Sequence, residues 1–185
     1  MSDDAKLQKL DSQIRAIKKA DRNADVTGLL RDALRNTEDQ EEKLYILSRL
    51  ASEYQLLGKL EAAEDAIKKQ IDLAPDNPEA WLQLASHYYG LVHDLPKALS
   101  TVEVAVEKAA REGNFVRQAH AERIRIALEA KNYQVVENSL AKLIEYSPRP
   151  GSIDVELESD FLPRIPSSGV RSDLVENYKK LAHTK

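Results

Sequence analysis

Four histidines, His87, His93, His120 and His183, are the side chains of this 185-residue chain best suited to moving protons or ligating a metal. Their spacing argues against both. None has a second histidine three or four residues away and the chain has no cysteine, so the pattern that sets two ligands on one helix face is missing. His120 falls with Val116, Ile124 and Ala127 on one apolar helix face, where packing is the expected role. Carboxylate pairs such as Glu41 and Glu42, or Glu156 and Glu158, have no companion nucleophile, and acid–base work needs groups that converge in a pocket. They read as solvated faces. No glycine-rich phosphate cradle, serine nucleophile elbow or kinase-like set is present. The expectation is a protein with no catalytic residues, no metal and no cofactor, and therefore not an enzyme.

The elements that would carry any binding surface are helical. Charged residues make up 31% of the chain and hydrophobic residues 42%, while Gly and Pro are scarce, which suits a soluble helical protein better than a β-sandwich or a disordered chain. The 27 basic and 31 acidic residues give a formal charge of -4, too balanced to draw nucleic acid or an anionic membrane as partners. Met1-Ser2-Asp3-Asp4 is acidic and leads into Lys6-Leu7-Gln8-Lys9, without the basic-then-apolar order of a secretory signal. No apolar run approaches the roughly 18 residues of a membrane helix, so the cytoplasm is the expected address.

A repeat organises the middle of the chain. Leu47, Leu50, Ala51 and Tyr54 lie at i, i+3, i+4 and i+7, one face of a helix, and a step of 34 residues carries them onto Trp81, Leu84, Ala85 and Tyr88. Gly58, Leu60, Ala63, Ile67 and Pro75 complete the first unit, and Ala98, Val102 and Ala105 follow in the second. Ala51, Ala63, Ala85 and Ala98 sit where two helices of a hairpin must approach closely, with Tyr54, Tyr88 and Trp81 beside them. Trp81, Tyr54, Tyr88 and Tyr133 are accordingly expected in the core rather than around a ligand. Asn77 is a natural N-cap before Pro78 at the first helical position, and Pro75 stops the helix before it.

These strings resemble the tetratricopeptide repeat (TPR) family, most closely over residues 44–77. The resemblance implies an all-α fold: a right-handed superhelical solenoid of antiparallel helix hairpins, built as one domain. Residues 44–150 hold the repeats. After Tyr88 the pattern departs, because Gly90 to Pro96 is one residue longer than the usual turn, and the next helix runs to about Arg111 before Gly113-Asn114 ends it. A third hairpin spans Arg117 to Pro150. Its second helix fits through Tyr133, Val136, Leu140, Leu143 and Pro148; in its first, Arg123 stands where Leu is expected and Ile124 where a small residue is, so either the register slips or this helix packs differently.

Residues 1–43 carry two apolar stripes, Leu7, Leu10, Ile14, Ile17 and then Val26, Leu29, Leu30, Ala33, Leu34, and read as a degenerate capping hairpin. Its Lys6, Lys9, Arg15, Lys18, Lys19 and Arg22 read as a solvated outer surface. Residues 151–185 form an irregular segment and a closing helix. Ser147 to Gly169 holds four of the seven prolines, and Ser172 starts a helix whose Leu174, Val175, Tyr178 and Leu181 would cover the last hairpin, with Phe161 and Leu162 pinning the loop.

In the family the first helices of the hairpins line a concave groove, and the resemblance assigns partner contacts to Tyr45, Ser48, Ser52 and Gln55, then Glu79, Leu82, Ser86 and Tyr89, then Gln118, Ala121, Arg125 and Leu128. It also speaks against one class of ligand. Where chaperone-tail binders carry Lys, Asn and Arg for a terminal carboxylate, this chain has Ser48, Ser52, Gln83, Gln118 and Glu122, so chaperone carboxyl-terminal tails are disfavoured. The expected function is a protein-interaction module or scaffold that holds a protein or peptide. Alternatives are a dedicated chaperone, assembly factor or immunity-type protein for one partner, and a self-associating structural protein. The oligomeric state is left open by the sequence.

Overall fold

A computed structural model of the chain describes residues 3–146, 161–166 and 169–183. Every regular element among them is helical, and no strand occurs among the described residues. No helix there is long and apolar enough to cross a membrane. The chain divides into two compact units, Met1–Pro75 and Asp76–Lys185, so the boundary falls inside the Pro75–Pro78 turn between the two repeats. Pro148, Pro150, Glu156 and Glu158 lie outside the described residues, as does most of the irregular segment after Ser147.

Unit 1 holds four helices, α1 (Asp3–Ala20), α2 (Thr27–Arg35), α3 (Gln40–Leu56) and α4 (Leu60–Leu73). The two stripes read in residues 1–43 become α1 and α2, which bury Leu10, Ile14 and Leu30, with Val26 buried just before α2. Two residues before α2, the Asp25 carboxylate accepts from the Thr27 amide at 2.8 Å and hydroxyl at 2.6 Å, and from Lys59 at 3.0 Å. Those bonds, the Thr27 hydroxyl first, hold the Asp25 carboxyl well below the usual range. α3 starts four residues before Leu44, because Asp39 caps it by accepting from the Glu42 amide at 2.8 Å.

α3 packs along α4 over Leu47, Leu50, Ala51, Ala63 and Ile67, all buried. The turn joining them closes through Lys59 N to Tyr54 O at 2.8 Å and Gly58 N to Gln55 O at 3.0 Å, with Gly58 at φ 68°. That bond pair needs a left-handed residue, which glycine adopts without strain.

Unit 2 holds α5 (Pro78–His87), α6 (Leu95–Glu112), α7 (Val116–Glu129), α8 (Tyr133–Tyr146) and a closing helix, α9 (Ser172–His183). Asn77 caps α5 by accepting from the Glu79 amide at 3.0 Å. The extra residue after Tyr88 is absorbed by a π-helical turn, Tyr88–Val92, that ends at left-handed His93 with Asp94 N bonded to Tyr88 O at 2.9 Å. Widening one turn accommodates an inserted residue while the flanking bonds stay paired. Gly113, at φ 71°, ends α6.

α7 packs against α6 and α8 and also touches α5, burying Ala119, His120, Ala121, Glu122, Ile124, Ile126, Ala127 and Leu128. A helix covered on nearly all sides has no single apolar stripe, which is why the register of this segment is ambiguous in sequence. Arg123, in the place of an expected Leu, is half-buried and bonds Glu103 at 2.8 Å and the Ser139 hydroxyl at 3.4 Å. α9 packs on α8, and Tyr178 and Phe161 are fully buried in one cluster with Ile124, Val136, Leu140 and Leu143. Leu162, Val175 and Leu181 pack against it. Of the four aromatics expected in the core only Tyr88 is buried; Tyr54, Trp81 and Tyr133 are partly exposed.

Candidate functional site

The residues assigned to the partner groove have different fates in the two units. In unit 1, Tyr45 and Gln55 are part-exposed on α3, Ser48 is part-exposed and Ser52 is open to solvent, with its hydroxyl donated to the Ser48 carbonyl at 3.1 Å. The Tyr45 hydroxyl donates to both oxygens of Asp11 on α1 at 2.7 Å, and burial together with that carboxylate raises its pKa. α1 therefore stands beside the predicted face. A second link, Lys18 to Glu53 at 2.7 Å, joins the same two helices.

In unit 2, Glu79, Ser86 and Gln118 are exposed, and Leu82, Tyr89 and Arg125 are half-exposed. Ala121 and Leu128 are not surface residues. They lie in the hydrophobic cluster at 1% and 9% exposure, because α7 is covered by its neighbours on the side the register had left open. Glu122, which sequence reasoning assigned to a vacant anchoring position, links the two first helices instead. It accepts from the Ser86 hydroxyl at 2.7 Å and from Arg125 at 3.0 Å. At the far end of that face Arg164 bonds Glu129 at 3.0 Å and reaches the Tyr89 hydroxyl at 3.5 Å.

Besides a hollow of about 410 Å³ at Tyr89 and Glu129, two concavities gather titratable side chains. One, in unit 2, is a cavity of about 760 Å³ between α6, α7 and α8, walled by Val104, Ala110, Ala141 and Tyr146 with His120 among its lining residues. His120 is 5% exposed and its Nδ1 has no hydrogen-bond partner among the described residues. Burial, with Arg123 and Lys142 adding to it, pushes its pKa down to about 4. The imidazole is neutral at pH 7 and too weak a base for efficient proton abstraction there. The carboxylates around it are engaged, Glu103 by Arg123, Glu107 by Arg111 and Glu145 by Lys142.

The other, in unit 1, is a cleft of about 530 Å³ between α1 and α3 whose lining includes Arg15, Lys18, Arg22, Arg49, Glu53 and Leu56. Sequence reasoning placed the α1 cations on a solvated surface and did not consider Arg49. The available signal was the spacing of Arg15, Lys18 and Arg22, which sets them on one side of the chain's first helix and the turn after it. No group of three or more metal-ligating side chains occurs among the described residues. Comparison with known proteins finds no family model that matches the chain and no curated protein similar to it.

Proposed function

We propose that this chain is a TPR-like helical-hairpin protein that works by binding, holding a protein or peptide partner against the exposed faces of its first helices. The observation that carries this reading is the face of α5 and the π-helical turn after it, where Leu82, Ser86 and Tyr89 remain accessible and Ser86 bonds Glu122 of α7. Large apolar side chains left partly open next to fixed polar groups are the usual anchors of peptide recognition. The 34-residue register from Leu47 to Trp81 supports the same reading, since it repeats one packing unit. The weak basicity of His120 and the pairing of nearby carboxylates favour binding over catalysis.

Affinity capture from native cell extract tests it, with the wild-type chain compared to a Leu82→Glu, Tyr89→Ala double variant of unchanged helical spectrum. The expected result is loss of a specific partner with the variant. A partner captured at one-to-one stoichiometry and surviving salt marks a dedicated assembly or immunity role, and mixed weak partners mark a scaffold. Equal capture by wild type and folded variant defeats the proposal for this face.

A further inference from the structure

We propose that the cleft between α1 and α3 binds the acidic side chains of a peptide that also carries apolar residues. The inference rests on the peptide-binding reading above and gives the partner a chemistry. Four cations line the cleft against a single acid, Glu53, in a chain whose net charge is -4. That acid is already taken by Lys18 at 2.7 Å. The other nearby carboxylate, Asp11, accepts the Tyr45 hydroxyl. Arg15, Arg22 and Arg49 are left with no ion-pair partner among the described residues, and the Nε of Arg49 is sealed from solvent without a hydrogen bond there. Guanidinium groups gathered without an ion pair among the described residues, one of them partly desolvated, suit carboxylates that can take two parallel N–H bonds each.

The apolar side of the cleft narrows the ligand further. Leu56 is 76% exposed at its edge, the most open large hydrophobic side chain described, and a small inorganic anion would leave it uncovered. A volume of about 530 Å³ admits several side chains. A nucleic-acid strand is a poorer fit, because no aromatic side chain lines the cleft to stack a base.

Fluorescence anisotropy on the full chain tests the assignment, using a labelled peptide of alternating Glu and Leu and its Gln–Leu counterpart. The Glu–Leu peptide is expected to bind at least about tenfold tighter and to weaken with salt, as charge-dependent recognition does. Arg15→Glu with Arg22→Glu, both on exposed positions, should weaken it by about tenfold or more while the helical spectrum is kept. Lys131→Glu with Lys179→Glu in unit 2 changes net charge equally and should leave binding unchanged. Equal loss in both charge-reversed pairs, equal affinity for the Gln peptide, displacement by millimolar inorganic phosphate or tighter binding of a single-stranded oligonucleotide each overturns the assignment. If the native partner is captured but no acidic peptide binds, the cleft assignment fails and the proposed function stands; if neither binds, both fail.

Discussion

The α5–α7 face of unit 2 and the α1–α3 cleft of unit 1 treat charge differently, although in both units successive helices pack on one another. In unit 2 polar side chains of α5 and α7 find partners: Ser86 and Arg125 converge on Glu122, Arg123 takes Glu103, and Glu129 is taken by Arg164. Its last hairpin is sealed by α9 and Phe161. In unit 1 the cleft between α1 and α3 keeps three arginines without an ion pair among the described residues and a leucine exposed. The difference teaches that a charged surface is informative only once its counter-charges are known. Glu122 and its partners in unit 2 are spent on internal fixation, whereas the cleft of unit 1 holds three arginines without an ion pair among the described residues.

Breaking the sealed unit should give the largest effect. Leu140, fully buried among Ile124, Val136 and Tyr178, is expected to cost about 2 to 5 kcal/mol when replaced by Ala, read as a shift of the denaturant midpoint. Leu56→Ser in unit 1 should stay within about 0.5 kcal/mol in the same measurement, because the side chain is 76% exposed. Similar losses at both sites would erase the contrast between a closed and an open region.

The buried imidazole of unit 2 adds a pH term. The folded pKa of His120, about 4, lies below its ordinary 6.5, so the unfolded chain takes up the proton first and the associated stability is fully present above about pH 6.5. It is lost as pH falls toward 4, by about 3 kcal/mol in all. Denaturation at pH 7 and pH 4.5 should show the loss, and His120→Leu should flatten it over that window. A slope unchanged in the variant would place the acid sensitivity elsewhere.

A smaller effect isolates the Glu122 bridge. Glu122→Ala removes the acceptor of both Ser86 and Arg125 and is expected to cost about 1 to 3 kcal/mol, whereas Glu122→Gln, which keeps an oxygen for Ser86, should cost less. Equal costs would show that charge rather than the shared acceptor matters.

The smallest test uses a turn that both units contain. Lys131 closes α7 at φ 54° with Asn132 N bonded to Ala127 O at 2.8 Å, the same closure that Gly58 makes in unit 1. Lys131→Gly is expected to be stabilising by up to about 1 kcal/mol and Gly58→Ala destabilising by about as much, since only a residue with a β-carbon is strained in the left-handed region. Thermal melts of the two variants moving in the same direction would contradict that account.

Much of the fold was legible because its signals are local. The i, i+3, i+4, i+7 spacing from Leu47 to Tyr54 marked α3, Asn77-Pro78 marked the start of α5, Gly113 marked the end of α6, and Leu174, Val175, Tyr178 and Leu181 marked α9. Each depends on residues within one or two turns of each other, and helix periodicity and capping act over that range. The faces were harder to read. Ala121 and Leu128 occupy positions that the repeat register exposes, yet they are buried, and Trp81, expected in the core, is partly open.

What the sequence determined by itself is therefore the identity of the helices, their order and most of their ends. The tertiary structure decided which faces were covered and which charges were neutralised. Glu122 reads as an ordinary helix acid until Ser86, 36 residues away, is brought against it, and Arg15, exposed as its position in the sequence predicts, is joined in one cleft by Arg49 from α3. Burial and charge compensation are properties of neighbours in space, supplied by elements far apart in the chain, so no spacing within a single helix encodes them.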